Sequence, residues 1–371
     1  KKEAITWSFE FLTQHLGFSP DQLSVTVFEG EAGIPRDDES IAIWKSLGIP
    51  EARIHALPKE DNWWGPAGTT GPCGPDTEMF IDNGQPACGP ACRPGCRCGK
   101  YIEIWNDVFM QYNKTAEGTY EPLKQHNVDT GMGVERTICM MNGCATVFET
   151  ELFAPLMAQI KALSTVRPDE ESAVRAERII ADHMRTSVFI LGDPKGGVKP
   201  GNVGANYVLR RLIRRSVRYA KLLGIAPGYT RALAEIVIDN YKHVYPELEK
   251  NRETVIGELT AEEERFEKTL AAGQREFDKV AGALKQHGQT TLSGRTAFKL
   301  YDTYGFPLEF TEELAAEQGL AVDRAGYEEA FKKHQELSKQ GDATFKGGLA
   351  DNTVATTRLH TATHLLHKAL Q

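Results

Sequence analysis

The chain has 371 residues, 41% hydrophobic and 25% charged, an ordinary globular composition with room for two or three domains that bury real cores. Its net charge of −8, from 43 basic and 51 acidic residues, excludes a polycation, so any hold on nucleic acid must come from locally concentrated positive charge. No apolar run reaches the length of a membrane span and no signal peptide is read, so the expectation is a soluble, cytoplasmic protein that does not engage a membrane.

The spacing of Ile5, Phe9, Leu12 and Leu16 predicts a helix from the first residue onward. Leu23, Val25 and Val27 alternate as a strand does, and residues 38–47 read as a short helix stopped by Gly48. A loop rich in Gly, Pro and Trp is expected over 62–75. Residues 77–81 and 101–113 read as strands, with a cysteine cluster between them. Beyond Glu135 the pattern turns helical: one helix over 152–163, another from near Pro168 to Gly192, a third over 207–223. Residues 246–284 predict a long charged helix or hairpin, its apolar positions Leu259, Phe266, Leu270, Phe277 and Val280 spaced roughly as heptads, read as a solvated structural element. A further helical cluster is expected over 302–338, and 357–371 stop inside a helical pattern, as in a piece of a longer protein. The fold class expected from these elements is α+β, with an all-helical part after the strand-rich one.

The segment from Asp129 to Arg136 is the sharpest chemical feature. Gly131 and Gly133, two apart, let a backbone approach a ligand, and a helix begins just after them with free N–H groups suited to an anion. Arg136 adds a forked cation, and Asp129 a carboxylate suited to a substrate ammonium. The same residues also fit a plain strand-to-helix turn. On the strand over 101–113, Asn106 is the only amide on a face otherwise made of Ile102, Ile104, Val108, Met110 and Tyr112. A buried amide needs partners, so it either caps neighbouring backbone or holds a ligand. Cys88, Cys92, Cys96 and Cys98 read as a metal clip, a structural zinc site, or as reduced surface thiols. His360 and His364 have the i, i+4 spacing of two ligands of one zinc, and equally that of two surface histidines. On the helix over 207–223, Arg210, Arg211, Arg214, Arg215, Arg218 and Lys221 fall within about 140° of one another. That face either meets a polyanion or is a basic surface paired with nearby acids.

Taken together these residues resemble the alanyl-tRNA synthetases. The resemblance is carried by Trp64 with residues 70–75, by 104–113 around Asn106, and by 128–136 around Gly131. Residues 181–185, 202–215, 300–307 and 360–364 extend it in the family's order over nearly the whole chain. It implies the C-terminal half of a class II antiparallel-sheet catalytic domain over 1–148, an all-helical tRNA-recognition domain over 149–345, and the start of an editing domain over 346–371. The implied reaction joins alanine to ATP with Mg²⁺, then passes the alanyl group to the 3′ end of alanine tRNA. Catalysis would rest on positioning and charge stabilisation by Asp129 and Arg136. Trp64, Asn106, Asp129 and Gly131 would hold alanine, Gly133 and Arg136 would hold ATP, and Arg210, Arg211, Arg214, Arg215 and Arg218 would meet the acceptor stem. Asn202 and Asp302 would read its G·U pair. His360 and His364 would hold the Zn²⁺ of a site that hydrolyses mischarged tRNA, with further ligands beyond the chain.

The chain departs from the family pattern in three places. The first and second class II motifs would precede Lys1, so this piece alone is expected not to form adenylate. Only residues 341–358 stand where a glycine-rich barrel segment is usual, and the cysteine cluster occurs in only some members. A non-catalytic module that binds the acceptor stem is the alternative reading, while a stand-alone editing hydrolase leaves the synthetase-like half without a purpose.

Overall fold

The computed structural model describes residues 1–31 and 33–344. The chain forms two compact units, Lys1–Met157 and Ala158–Gln371. Among the described residues no helix is long and apolar enough to cross a membrane.

The first unit opens with α1 (Lys2–Glu10), which widens into a π-helical turn at Phe11–His15. Then follow β1 (Leu23–Phe28), α2 (Asp38–Ser46), β2 (Ile54–Leu57), α3 (Lys59–Asn62), β3 (Trp63–Trp64), β4 (Gly71–Asp82), β5 (Tyr101–Lys114), β6 (Tyr120–Met132) and α4 (Val134–Met141). The sheet runs β2–β1–β4–β5–β6, with β3 also paired to β4. Only β1 and β2 run parallel; the other pairs are antiparallel. Asp37 starts α2 by accepting from the Ser40 amide at 3.1 Å, and Gly48, at φ 94°, ends it in a conformation other residues avoid. Ile5, Leu12, Val25, Trp44, Met79 and Phe109 belong to one buried core, so α1, the π-helical turn and α2 close one face of the sheet. Each such side chain contributes roughly 1.5–3 kcal/mol by leaving water.

The loop expected over 62–75 holds the end of α3, all of β3 and the start of β4. Glycine and proline normally argue against a central strand, yet here the backbones are pressed together. A Cβ on Gly74 would stand 1.9 Å from the Phe109 carbonyl oxygen. The register shifts between Cys73 and Asp76, which leaves room for prolines that cannot donate to the ladder.

The second unit is reached through α5 (Ala154–Leu163), within which the division falls. It holds α6 (Glu170–Gly192), α7 (Gly204–Leu222), α8 (Tyr229–Tyr241), α9 (Pro246–Lys250), α10 (Arg252–Gln286), α11 (Gly294–Tyr304), α12 (Leu308–Glu317) and α13 (Arg324–Thr344). It is not wholly helical, because β7 (Thr291–Leu292) and β8 (Ala321–Val322) pair in parallel. α10 is one unbroken helix with one solvated face, and its other face buries Val255, Leu259, Phe266, Leu270 and Phe277, with Val280 only half-buried. Gly273 sits inside it because a Cβ there would lie 2.5 Å from the Phe306 ring.

Candidate functional site

In the first unit the strand register gathers polar side chains on the sheet face away from the core. Thr26, Glu78, Asn106 and Gly131 are successive cross-strand partners on β1, β4, β5 and β6. Two residues along, Asp76, Val108 and Asp129 form the next row on the same face. The intervening Thr77 and Asp107 face the helices. There Trp44 Nε1 donates to Thr77 Oγ1 at 2.9 Å and Ser8 Oγ donates to Asp107 Oδ2 at 2.9 Å.

Two acids on this face are held away from their ordinary charge state. Asp76 is 3% exposed and accepts from Asn62 Nδ2 at 2.8 Å. Burial pushes its carboxyl up to about 7, against hydrogen bonds from Asn62 and Asn106. Burial, then the neighbouring Asp76 and Glu103 charges, push Glu78 up to about 8. Thr26 Oγ1 donates to Glu78 Oε2 at 3.2 Å and accepts from Asn62 Nδ2 at 2.8 Å, so the two acids share one network. Asn106 Oδ1 is buried with no hydrogen-bond partner. Leaving such an atom unpaired costs about 1–3 kcal/mol, which a ligand that donates to it would recover.

The two glycines of the motif do different jobs. A Cβ on Gly131 would meet nothing within 4 Å, so the position is open floor beside Asn106. A Cβ on Gly133 would lie 2.7 Å from Arg136 Nε, so that glycine makes room for the arginine. Arg136, on α4, donates from Nη1 to Glu103 Oε2 at 2.8 Å and its side chain stays 43% exposed. Asp129 is exposed on the edge strand. Trp64 stands on β3 opposite Gly74 with its indole open to solvent, while its neighbour Trp63 packs against Phe28, Tyr112 and Tyr120.

The second unit has a cavity of about 380 Å³ that brings together Asn202, ahead of α7, and Asp302 on α11. Tyr207, Arg210, Tyr301 and His334 also line it. Arg210 donates to Asn202 Oδ1 and, through Nη2, to the Pro200 carbonyl at 3.1 Å, which leaves the Asn202 NH₂ group as the free end of its amide. Asp302 Oδ1 lies 3.7 Å from His334 Nε2.

Each arginine of the α7 face is engaged by an acid of the same unit, although only Arg214 is buried. Arg214 is buried and donates to Glu262 Oε1 of α10 at 2.7 Å, and Arg210 lies 3.2 Å from the same carboxylate. Arg211 pairs with Glu309 at 2.6 Å, Arg215 with Glu313, and Arg218 with Glu317. Glu309, Glu313 and Glu317 follow one another at i, i+4 on α12, so an acidic stripe meets the basic one. That spacing was readable in the sequence; that the two helices meet was not. Asp76, Glu78, Glu103 and Asn62 were also missed, since only tertiary burial gives them their character. His360 and His364 lie outside the described residues.

The edge strand β6 leads through a Gly-x-Gly turn into the arginine-bearing α4. The pattern for tRNA synthetases class II (A) matches residues 1–370, and the chain belongs to that family. It is 54% identical to an alanine–tRNA ligase of Treponema pallidum and 57% identical to one of Treponema denticola, in each case over 100% of this chain and 62% of the relative. An alanine–tRNA ligase of Rubrobacter xylanophilus is 41% identical over 92% of this chain and 39% of its own length. The chain therefore spans less than two thirds of these relatives.

The raised Glu78 carboxyl has a measurable consequence. The folded protein keeps a proton that the unfolded chain gives up from about 4.5 upward, so this group lowers stability as pH rises from there to about 8. Glu78→Gln should remove that share. Between pH 5 and 8 its melting temperature should fall less than the wild type's, by at least about 2 °C. Equal falls in the two proteins would contradict the assignment.

Proposed function

We propose that this chain is the site-bearing part of an alanine–tRNA ligase, which activates alanine with ATP and Mg²⁺ and transfers it to alanine tRNA. The observation that carries the reading is the row Glu78–Asn106–Gly131 beside Asp129: an orphaned amide oxygen and an exposed carboxylate flank a bare glycine. Such a floor suits an amino acid with a very small side chain, its ammonium held by Asp129 and Asn106. Trp64 would close the same pocket. Arg136 uses one of the five donors of a guanidinium on Glu103, and the rest suit phosphate oxygens of ATP. The identity to relatives named alanine–tRNA ligases supports the choice of amino acid. A small pocket rejects glycine or serine weakly, so an editing site is expected in the whole protein, with His360 and His364 as zinc ligands.

The second unit reads as the tRNA-recognition part, and its cavity supports that reading. Asn202 offers an NH₂ donor and Asp302 an acceptor, which suits a guanine minor-groove edge with its N3 acceptor and exocyclic amino group. A G·U wobble leaves that amino group without a pairing partner, so the pair is marked for such a reader. The arginines of α7, already paired with acids, serve to hold α7 against α10 and α12, and are not proposed as phosphate contacts.

Two tests follow. In alanine-dependent ATP–pyrophosphate exchange by the whole protein, Asp129→Asn should weaken alanine use by about 1.5–3 kcal/mol, the scale of a charged hydrogen bond, or at least about tenfold. The KM for ATP should barely change. Exchange at wild-type efficiency would remove Asp129 from the site. With purified tRNAs, Asn202→Ala or Asp302→Ala should abolish the preference for G·U over G·C while leaving the salt dependence of binding intact. Arg218→Ala should change neither, and a flattened salt slope in that variant would return the arginine face to the tRNA.

A further inference from the structure

We propose that Cys88, Cys92, Cys96 and Cys98 form a structural tetrathiolate zinc site that closes the β4–β5 connection. Their four Sγ atoms all lie within 4.8 Å of one another. Cys88 and Cys96 approach to 3.5 Å and Cys92 and Cys98 to 3.6 Å. Zinc bound to four thiolates at about 2.3 Å spaces them about 3.8 Å apart along the edges of a tetrahedron. A disulfide would bring two of them to about 2.05 Å, so the spacing fits a shared ion and not a covalent pair.

The segment around the cysteines has little else to hold it. Residues 83–100 contain no helix or strand, and among them only Pro94 is buried. A connection of that length with so little apolar burial gains too little to offset its ordering entropy, a deficit that metal ligation commonly makes good. Its neck is tied by protein groups alone: Asn83 Nδ2 donates to the Gly99 carbonyl at 2.8 Å and Lys100 Nζ donates to Asp82 Oδ1 at 2.7 Å. The cysteines lie above that neck. Gly95 and Gly99, at φ 84° and 82°, turn the chain sharply before Cys96 and after Cys98, which lets two ligands one residue apart reach the same centre. Arg93 and Arg97 alternate with the ligands in sequence and supply positive charge near a centre that four thiolates would leave dianionic.

All four positions would come from the protein, so the ion has no open site and no part in chemistry. Its effect is mechanical. β4 and β5 carry Asp76 and Glu78 on one strand and Glu103 and Asn106 on the other, and the clip fixes the far end of that hairpin. The inference stands on the cysteine geometry alone and does not depend on the proposed reaction.

The test is metal analysis of the whole protein purified under reducing conditions without added metal. About one zinc per chain should be retained by a His360→Ala, His364→Ala double variant and lost from Cys92→Ser and Cys96→Ser. Should the serine variants fold poorly, the wild type gives an independent answer. Cobalt exchanged into it should show the thiolate charge-transfer bands and tetrahedral d–d bands of four sulfur ligands. Its cysteine-cluster thiols should also resist alkylation until a chelator is added. Absence of bound metal together with prompt alkylation of all four thiols would overturn the proposal. So would iron in place of zinc, or an ion that follows the histidines and ignores the cysteines.

Discussion

The antiparallel register of β4, β5 and β6 governs what the first unit can do. With Asn106 opposite both Glu78 and Gly131, the amide, the acid and the bare position share one face. A slip of one residue in either pairing would turn β4's acids or β6's Asp129 into the helix-packed core. The structure fixes that register from the core side. Thr77 is held by the indole of Trp44, and Asp107 by Ser8 and Thr130, so the residues between the site residues are each tied down. Buried carboxylates and hydroxyls bonded this way are costly to misplace, which makes them better register pins than apolar side chains that tolerate sliding.

The second unit solves a different problem with the same physics. Glu262 is almost wholly buried and is approached by Arg210, Arg214 and Arg265. Removing such a carboxylate would leave buried guanidinium charge uncompensated, a loss of about 3–5 kcal/mol in comparable pairs. Arg214 also donates to the Gly305 carbonyl, and a side chain at Gly305 would collide with it at 2.1 Å. The ion pairs therefore set where α11 ends, and with it the wall of the cavity that holds Asp302. A stripe of arginines in a protein of net charge −8 is here an internal fastening before it is anything else.

Legibility in the sequence followed local signal strength. β5 was readable because its apolar residues alternate over a long run, and Asn106 stood out against them. α6 and α7 announced themselves through apolar spacing, and α2 through the stop at Gly48, while its cap at Asp37 shows only in the fold. β6 was not readable: as an exposed edge strand it carries Lys124, Gln125, His126 and Asn127 with no apolar alternation, and pairing with β5 alone makes it a strand. The opening of β4 was hidden by glycine and proline, whose use there reflects close backbone approach. The two glycines at 131 and 133 were visible as a pair, but one being open floor and the other a slot for Arg136 depends on α4's position. Asp76 and Glu78 look like ordinary strand acids until their neighbours bury them.

The central claim is that Asp129, Asn106 and Gly131 form one pocket for the ammonium and side chain of alanine. A crystal structure of the whole protein with a non-hydrolysable alanyl-adenylate analogue tests it most directly. The analogue's ammonium should lie within about 3 Å of an Asp129 carboxylate oxygen, its methyl group over Gly131, and Arg136 on the oxygens that replace the phosphate. An ammonium lodged between Asp76 and Glu78 with Asp129 left in solvent, or an analogue bound off this sheet face, would contradict it.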